Sequence, residues 1–328
     1  MSFDDWDARA SGVICSFLFE RGQARALREP DLSPLRSAGA WSWTHLRLSD
    51  VRAQAQLRGL EGLPAEALEI FLSQETRVEI AEADGWVFGV LPDLERDLSG
   101  QPQGVGRLSF AFDGARLITA RLHPLLAADD LRRAAQAGET LASPAAAVVA
   151  HVELYVDHLE DLLDEASQQM ASVEDFVLTQ PQNPRETELS ALRRAIALHR
   201  RELQGLRTAL VRAHAGRRRG RVAAFREELP DLMAAVEDLD HDAGVLQDRG
   251  RLLHEEIDTL INGATNRSMR ALTIVSTLLI PPTLITGAFG MNLAGIPFGH
   301  ASNGFAVALA VCAAVVGAAL LLLRRMGM

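Results

Sequence analysis

The hydrophobic pattern of the C-terminal part of the chain predicts two membrane-spanning helices. No Asp, Glu, Lys or Arg occurs from Ala271 to Leu323. Ala271–Ala288 is apolar with helical character, Phe289–Gly304 is rich in the helix breakers Gly, Asn and Pro, and Phe305–Leu323 supplies a second apolar run. A span of the hydrocarbon core needs ~20 such residues. A buried soluble hairpin is the alternative interpretation, and so long an uncharged tract makes it the weaker one.

Upstream of the first span, apolar residues recur at alternating steps of three and four residues. The sequence from Pro230 to Ala288 contains no break in this pattern, which predicts one helix that passes from a stalk directly into the membrane. We expect the apolar seam to form contacts between neighbouring chains. Its members are Val236, Leu239, Ala243, Leu246, Gly250, Leu253, Ile257, Leu260 and Ala264.

A second stripe with the same spacing consists mostly of polar or small residues. It contains Glu255, Thr259, Asn262, Asn266, Met269, Thr273, Ser276, Ile280, Thr283 and Gly287. Polar groups at membrane depth need protein partners or water, so the stripe predicts a helix face that lines an aqueous pore. The alternative is that the hydroxyls only bind their own backbone or a neighbouring helix.

Two spans cannot enclose a pore, so the hypothesis requires a ring of identical chains. In such a ring Met269, Leu272 and Ile280 would form apolar constrictions, and Glu255 would form a cytoplasmic acidic ring that attracts cations. Leu272 and Thr273 compete for the same position facing the axis, and a rotation of the helix could exchange them.

The first 145 residues predict a compact α/β domain. Two helices are expected, at Pro64–Ser73 and Ala127–Ala137, and a turn at Asp113–Gly114 should join the last two strands. The expected strands are Val13–Phe19, Ala40–Leu48, Gly85–Leu91, Gly106–Gly114 and Ala115–Leu122.

The chain then becomes helical, and its charge changes sign along the way. His151–Asp175 has eight acidic and no basic residues, whereas Arg185–Arg226 has twelve arginines and three glutamates. This predicts an antiparallel pair of oppositely charged helices over 146–228, broken near Gly216–Gly220. The remaining divisions are a stalk at 229–270, the first span at 271–288, a periplasmic loop at 289–304, the second span at 305–323 and a tail at 324–328.

Charge and composition exclude several function classes and orient the spans. A net charge of −10 disfavours nucleic-acid binding, two cysteines rule out a disulfide framework, and residues 1–180 show no catalytic spacing, so no enzyme and no cofactor are predicted. Arginines flank the spans at positions 267, 270, 324 and 325, and the loop has none, which places both termini in the cytoplasm.

Two clusters keep two interpretations each. His151 and His158, with Asp157 and Asp161, could bind a regulatory metal or form a solvated acidic face. The basic run Arg217–Arg221 could bind anions or lipid headgroups, or be a solvated turn.

The segment Asn266–Pro297 resembles the signature of the CorA superfamily of divalent-cation transporters, whose hallmark is Gly-Met-Asn at the outer end of the first span. Here the triplet is Gly290–Met291–Asn292, preceded by TIVSTLLIPPTLITG. The resemblance implies a homopentamer with a cytoplasmic funnel, a stalk helix and a pore lined by the first span. It implies a selectivity filter in which Asn292 meets the hydrated cation, Gly290 permits a sharp turn and Met291 packs to hold it.

The loop GMNLAGIP lacks an acidic residue and is similar to the ZntB branch, which is associated with zinc transport. The resemblance therefore implies a bacterial inner-membrane importer of Zn²⁺, with possible coupling to H⁺, and membrane lipid and other copies of the chain as its partners. His300 could sense protons, touch zinc or be solvated. The alternatives are a Mg²⁺/Co²⁺/Ni²⁺ channel of the same fold and, in a different class, a membrane-anchored coiled-coil sensor.

Overall fold

The computed structural model describes residues 12–27, 32, 39–73, 77–97, 99, 101–179, 185–215, 222–291 and 303–325. They form seven strands and seven helices in two compact units, of which the first comprises Met1–Val173 with Thr187–Arg251 and the second Glu174–Glu186 with Leu252–Met328. In chain order the elements are β1 Val13–Glu20, β2 Gln23–Ala26, β3 Ala40–Arg47, α1 Val51–Arg58, α2 Ala65–Leu72, β4 Glu79–Ala83, β5 Trp86–Arg96, β6 Pro102–Phe112, β7 Arg116–Arg121, α3 Leu126–Ala137, α4 Pro144–Thr179, α5 Glu186–Ala215, α6 Val222–Gly290 and α7 Gly304–Arg325.

The strands form one sheet in the order β2-β1-β3-β7-β6-β5-β4. All neighbouring pairs are antiparallel except β3 and β7, which are parallel and lie side by side in the middle. The five predicted strands and the two predicted helices are confirmed, as is the turn after β6, where Gly114 adopts a φ of 89°. Strands β2 and β4 and helix α1 were not predicted.

Every residue of the central strand β7 is buried, because both faces of the sheet are covered. On one face, Ile118 and Ala120 join a core with residues of α1 and α2, among them Leu57 and Phe71. On the other face, α3 packs through Leu125 and Ala128. Phe225 of α6 contacts the ring of Phe112 edge-on at 5.7 Å, so the start of this long helix also rests on the sheet.

A row of polar side chains is buried on this second face and is bonded across strands. Thr119 Oγ1 lies 2.8 Å from both Trp43 Nε1, which donates to it, and His45 Nδ1. Burial lowers the pKa of His45 well below its ordinary value and raises that of Cys15 to about 12. Because the charged forms are disfavoured, this row is a neutral structural network.

Asp93 of β5 caps helix α3 from inside the core. Its carboxylate accepts hydrogen bonds from the backbone N–H groups of Leu94, Ala127 and Ala128 at 2.7 to 3.0 Å. Its Oδ2 lies 3.8 Å from Nε2 of His151, a residue of α4 that is equally buried. Burial raises the pKa of Asp93 to about 7 and lowers that of His151 to about 3, so both groups are neutral between these values.

We expect replacement of either partner to change the pH dependence of stability, and in opposite directions. Asp93 binds a proton more readily in the folded than in the unfolded chain, so its contribution is lost as pH rises from about 4 to 7; His151 loses its contribution as pH falls from about 6.5 to 3. In the wild type the two slopes oppose each other. Relative to it, Asp93→Asn should gain stability with rising pH and His151→Phe should lose it, each by about 1 kcal/mol per pH unit.

Tryptophan fluorescence of the full-length protein can measure this, because all four tryptophans, at positions 6, 41, 43 and 86, precede α3. Melting midpoints are compared between variant and wild type at each pH. Asp50→Asn serves as a control: this half-buried carboxylate caps α1, and its bond to Arg52 lowers its pKa, so its contribution is lost only in acid. Melting midpoints of Asp93→Asn and His151→Phe that run parallel to the wild type at every pH would contradict the assignment.

Helices α4, α5 and α6 pack closely in the first unit. A Cβ added to Gly250 of α6 would lie 3.0 Å from Met170 Cε of α4 and 3.1 Å from Arg193 Cγ of α5. Two described ion pairs of α5 join α6, from Arg200 to Asp240 at 3.3 Å and from Arg207 to Glu237 at 2.7 Å. The predicted break at Gly216–Gly220 and the basic run Arg217–Arg221 lie outside the described residues.

The single helix predicted through Pro230–Ala288 is confirmed, since α6 runs without interruption over 69 residues. At 1.5 Å per residue this corresponds to about 100 Å. The apolar seam, however, is not free to join neighbouring chains. From Val236 to Ile257 its residues are buried within the single chain, and only Leu260 and Ala264 are half-buried. The prediction that the seam forms contacts between chains was therefore wrong over most of its length.

Candidate functional site: the exposed stripe of helix α6

Two helices in the described part of the chain are long and apolar enough to cross a membrane: α7 and the C-terminal part of α6. Both belong to the second unit. Five of the half-buried positions in the apolar part of α6 follow helical spacing on one face, namely Ile274, Leu278, Pro281, Ile285 and Phe289. Those of α7 follow the same spacing, namely Ala308, Cys312, Val315 and Ala319, and continue to the buried Leu323. Two such faces on consecutive helices are typical of a helical hairpin.

The predicted polar stripe lies on the opposite, exposed side of α6. Measured at about 100° per residue, its members fall within about 60° of Ile280, whereas the half-buried face is centred about 140° away. Exposed members are Glu255, Thr259, Asn262, Asn266, Met269, Thr273, Ile280, Thr283 and Gly287, and Ser276 is half-buried. The structure therefore places the predicted residues together on one unoccupied face of a single chain.

The threonines of this stripe donate their hydroxyl hydrogens to their own helix. Thr273 Oγ1 donates to the carbonyl of Met269 at 2.8 Å, and Thr283 Oγ1 donates to that of Leu279 at 2.7 Å. This is the bond expected if the hydroxyls only stabilise the helix. This bond also determines which groups the exposed side of the helix offers to water. Because the hydroxyl hydrogen is already donated to the carbonyl, the hydroxyl oxygen can only accept hydrogen bonds, through its lone pairs.

Large apolar side chains interrupt the oxygens of the stripe. Met269 is 63% exposed and Ile280 is 64% exposed, so neither side chain is packed within the chain. In a regular helix Thr273 lies about 20° from Ile280 and Leu272 about 80°. Of the two competing residues, Thr273 is thus centred on the stripe, and Leu272 lies at its edge.

A third face of α6 was missed at the level of sequence. Leu272, Val275 and Leu279 are all more than half exposed and lie together beside the stripe. Because the seam is buried inside the chain, this face and not the seam is left for lipid or for another copy. The sequence shows that these leucines and this valine belong to the apolar span. Its periodicity does not show that they form an exposed face distinct from the half-buried one.

The triplet at the end of α6 is described in part. Gly290 is the last residue of the helix and is not among the described residues with positive φ; the turn expected after it leads into residues outside the described part of the chain. The backbone N–H of Met291 closes the final turn on the carbonyl of Ala288 at 3.4 Å, and its side chain is 52% exposed, so it does not pack within the chain. Asn292 and His300 lie outside the described residues.

The candidate regulatory metal site in the first unit is not assembled. His151 is buried beside Asp93, whereas His158 binds the carboxylate of Asp130 at 2.9 Å. Asp157 and Asp161 are exposed on α4. Across the described ranges, no three His, Cys, Asp or Glu side chains are grouped so as to hold a metal ion. The metal-binding interpretation is therefore not supported, and the alternative of a solvated acidic face holds for Asp157 and Asp161 but not for the buried His151.

Comparisons with known proteins agree with this architecture. Residues 38–325 match the model of the family described as CorA-like Mg²⁺ transporter protein. The divalent cation transporter CmaX of Pseudomonas aeruginosa is 27% identical over 273 residues, and the zinc transport protein ZntB of Pectobacterium carotovorum is 24% identical over 272; each match covers 80% of both chains.

The fold agrees as well. The solved structure of full-length CmaX has a TM-score of 0.80 at 24% sequence identity, and the match covers 97% of this chain and 98% of that one. At this identity the likeness speaks for the fold alone. The family match, in contrast, extends from the sheet domain through both apolar helices. The chain belongs to the CorA family of divalent-cation transporters.

Proposed function

We propose that this protein imports Zn²⁺ through a central pore formed by five copies of the chain and lined by the stripe of α6. The observation that carries the proposal is the position of that stripe: Asn262, Asn266, Thr273 and Thr283 are exposed on one side of a helix that continues into the membrane segment. Polar side chains at membrane depth need a wet or protein-filled surrounding. A single chain provides no such surrounding on this side of α6, whereas a ring of chains would enclose the stripe around a water-filled axis.

The chemistry of the stripe suits a cation that keeps its water. Water molecules around a cation turn their hydrogens outward, and the stripe offers hydroxyl lone pairs that can accept those hydrogens. Across this path the membrane potential favours inward movement of a divalent ion by ~4.6 kcal/mol per 100 mV, twice the value for a single charge. At the outer end, we place the filter at Gly290, Met291 and Asn292, where amide oxygens would contact the hydrated ion.

The choice of Zn²⁺ rests on the loop and on the relatives. The segment after the triplet, NLAGIPFGH, carries no carboxylate, and ZntB, which matches over 80% of the chain, is named a zinc transport protein. A Mg²⁺/Co²⁺/Ni²⁺ channel is the second candidate, favoured by the family's description as Mg²⁺ transporters. The described stripe has no thiolate, imidazole or carboxylate within the bilayer, which argues against tight coordination of Zn²⁺ there.

The proposed arrangement follows the arginines and the helix hairpin. Residues 1–145 and 146–228 would lie in the cytoplasm with the stalk at 229–270, and spans 271–288 and 305–323 would cross the bacterial inner membrane. The loop at 289–304 would face the periplasm and the tail at 324–328 the cytoplasm. Glu255, exposed on the stripe below the membrane, would form an acidic ring at the cytoplasmic exit.

Ion-resolved uptake into proteoliposomes tests the proposal. We expect zinc influx that an inside-negative potential accelerates, and the same measurement with an imposed pH gradient reveals whether protons are coupled to it. Influx of magnesium in preference to zinc would support the second candidate. Absence of flux for all divalent cations, in vesicles that contain correctly inserted protein, would leave only a tethered sensor. The mass of the purified complex checks the expected five copies.

A further inference from the structure

The charge of the chain is distributed very unevenly. After Asp258 no residue has a side-chain carboxylate, although four arginines follow, at positions 267, 270, 324 and 325. The preceding part contains the other 29 arginines and all 43 acidic residues, for a formal charge of −14. A basic group in the C-terminal part therefore has no acidic side chain of its own segment to neutralise it.

Two of the four arginines precede the apolar part of α6, and the other two end the apolar helix α7. Arg267 and Arg270 precede the first span on α6, and Arg324 and Arg325 end α7 directly after Leu323. All four side chains are exposed, and none of them takes part in an ion pair among the described residues. Within the chain only 0% and 6% of the residues in the apolar windows beside them are buried, so lipid or other copies must cover the remaining surface.

The arginines of α6 avoid the proposed path of the ion. In a regular helix, Arg270 lies about 80° and Arg267 about 140° around the axis from Ile280, the centre of the stripe. Both arginines therefore lie off the stripe, and their charge is not centred on the proposed path of the cation. A phosphate group at the membrane surface is the neighbour that such a position offers, and guanidinium groups bind phosphate with two parallel hydrogen bonds.

We infer that these four residues, which we name the arginine collar, bind the headgroups of anionic phospholipids on the cytoplasmic side of the membrane. The inference requires that the helices span the bilayer as proposed but does not depend on which ion is transported. An acidic patch of another copy is a weaker occupant, because the segment from residue 259 onward has no side-chain carboxylate to offer in any copy. Attraction of about 1 kcal/mol per basic residue near an anionic surface corresponds to about a five-fold preference for each arginine that a headgroup contacts.

The test measures lipid association directly and in the absence of divalent cations. Full-length protein is placed in phosphatidylcholine vesicles with a trace of spin-labelled phosphatidylglycerol or spin-labelled phosphatidylcholine, and the motionally restricted fraction of each label is compared. We expect several-fold enrichment of phosphatidylglycerol, lost in molar NaCl and unaffected by excess inorganic phosphate at matched ionic strength. Equal association of the two lipids would overturn the inference, and displacement by inorganic phosphate would mean that the site binds free phosphate.

Variants locate the binding. Replacement of the four collar arginines with glutamine should abolish the enrichment, whereas replacement with lysine should retain most of it and preserve the insertion signal. A control that removes the same charge from exposed arginines of the first unit, at positions 25, 58, 201 and 212, should behave as the wild type. Enrichment that persists in the glutamine variant, or vanishes in the control, would contradict the collar. Because no ion flux is measured, failure here leaves the proposed zinc import standing, and the reverse also holds.

Discussion

Replacement of Asn292 with alanine is expected to reduce zinc uptake to the level of empty vesicles while the complex stays assembled. In a ring, this side chain would present its amide oxygen to the hydrated ion at the outer mouth, and an alanine methyl group cannot accept a hydrogen bond from the water shell. Gly290 is the last residue of α6, and the side chain of Met291 after it is exposed. Flux in proteoliposomes and the mass of the purified complex are the two measurements.

Asn303 provides a matched control for this experiment. It lies at the other end of the same segment, exposed, where its backbone carbonyl accepts a hydrogen bond from Val307 in the first turn of α7. Asn303→Ala removes the same amide and should retain uptake. Wild-type flux through Asn292→Ala, or equal losses in the two variants, would show that the filter is elsewhere.

Ile280→Asp should raise the cation flux several-fold, because a charged ring wets a constriction that apolar side chains can close by expelling water. Met269→Asp should act in the same direction nearer the cytoplasm. Both side chains are exposed in the single chain, so the change does not disrupt packing within it. Uptake rates at saturating zinc, normalised to inserted protein, measure the effect.

A substitution at the neighbouring residue, on a different face of the helix, serves as the control for this experiment. Leu279 is as exposed as its neighbour Ile280 but lies on the outer apolar face. The pair Ile280→Asn and Leu279→Asn carries the same side chain at adjacent residues and avoids the cost of inserting a charge. Only the first should change the flux. Unchanged flux in both Ile280 variants, with normal insertion, would remove the pore face from this side of α6.

The elements that sequence predicted are those with a strong apolar signal, and the ones it missed have a physical reason. Strands β2, QARA, and β4, EIAEA, are the two edges of the sheet. Neither has a buried residue, so they carry no alternation of buried and exposed positions. Helix α1 buries only Ala53 and Leu57. Pairing with a neighbour inside the fold, and not the local pattern, stabilises all three.

The stripe and the seam show where periodicity stops being informative. Three- and four-residue spacing located both faces of α6 correctly, because that spacing follows from helix geometry alone. It could not identify what covers each face. A seam buried by α4 and α5 of the same chain has the same pattern as one buried by another copy, and only the burial of its residues within the single chain, with the close approach at Gly250, distinguished them.

The threonine hydroxyls of α6 that donate their hydrogens to their own helix have a consequence for the pH dependence of transport. Thr273 and Thr283 present hydroxyl oxygens on the proposed pore face, and that face has no ionisable side chain between Arg270 and Met291. Nothing along this stretch can gain or lose a proton near neutral pH. If the transport rate depends on pH, the titrating groups would then have to lie beyond the two ends of this pore segment. The segment itself would pass ions independently of pH.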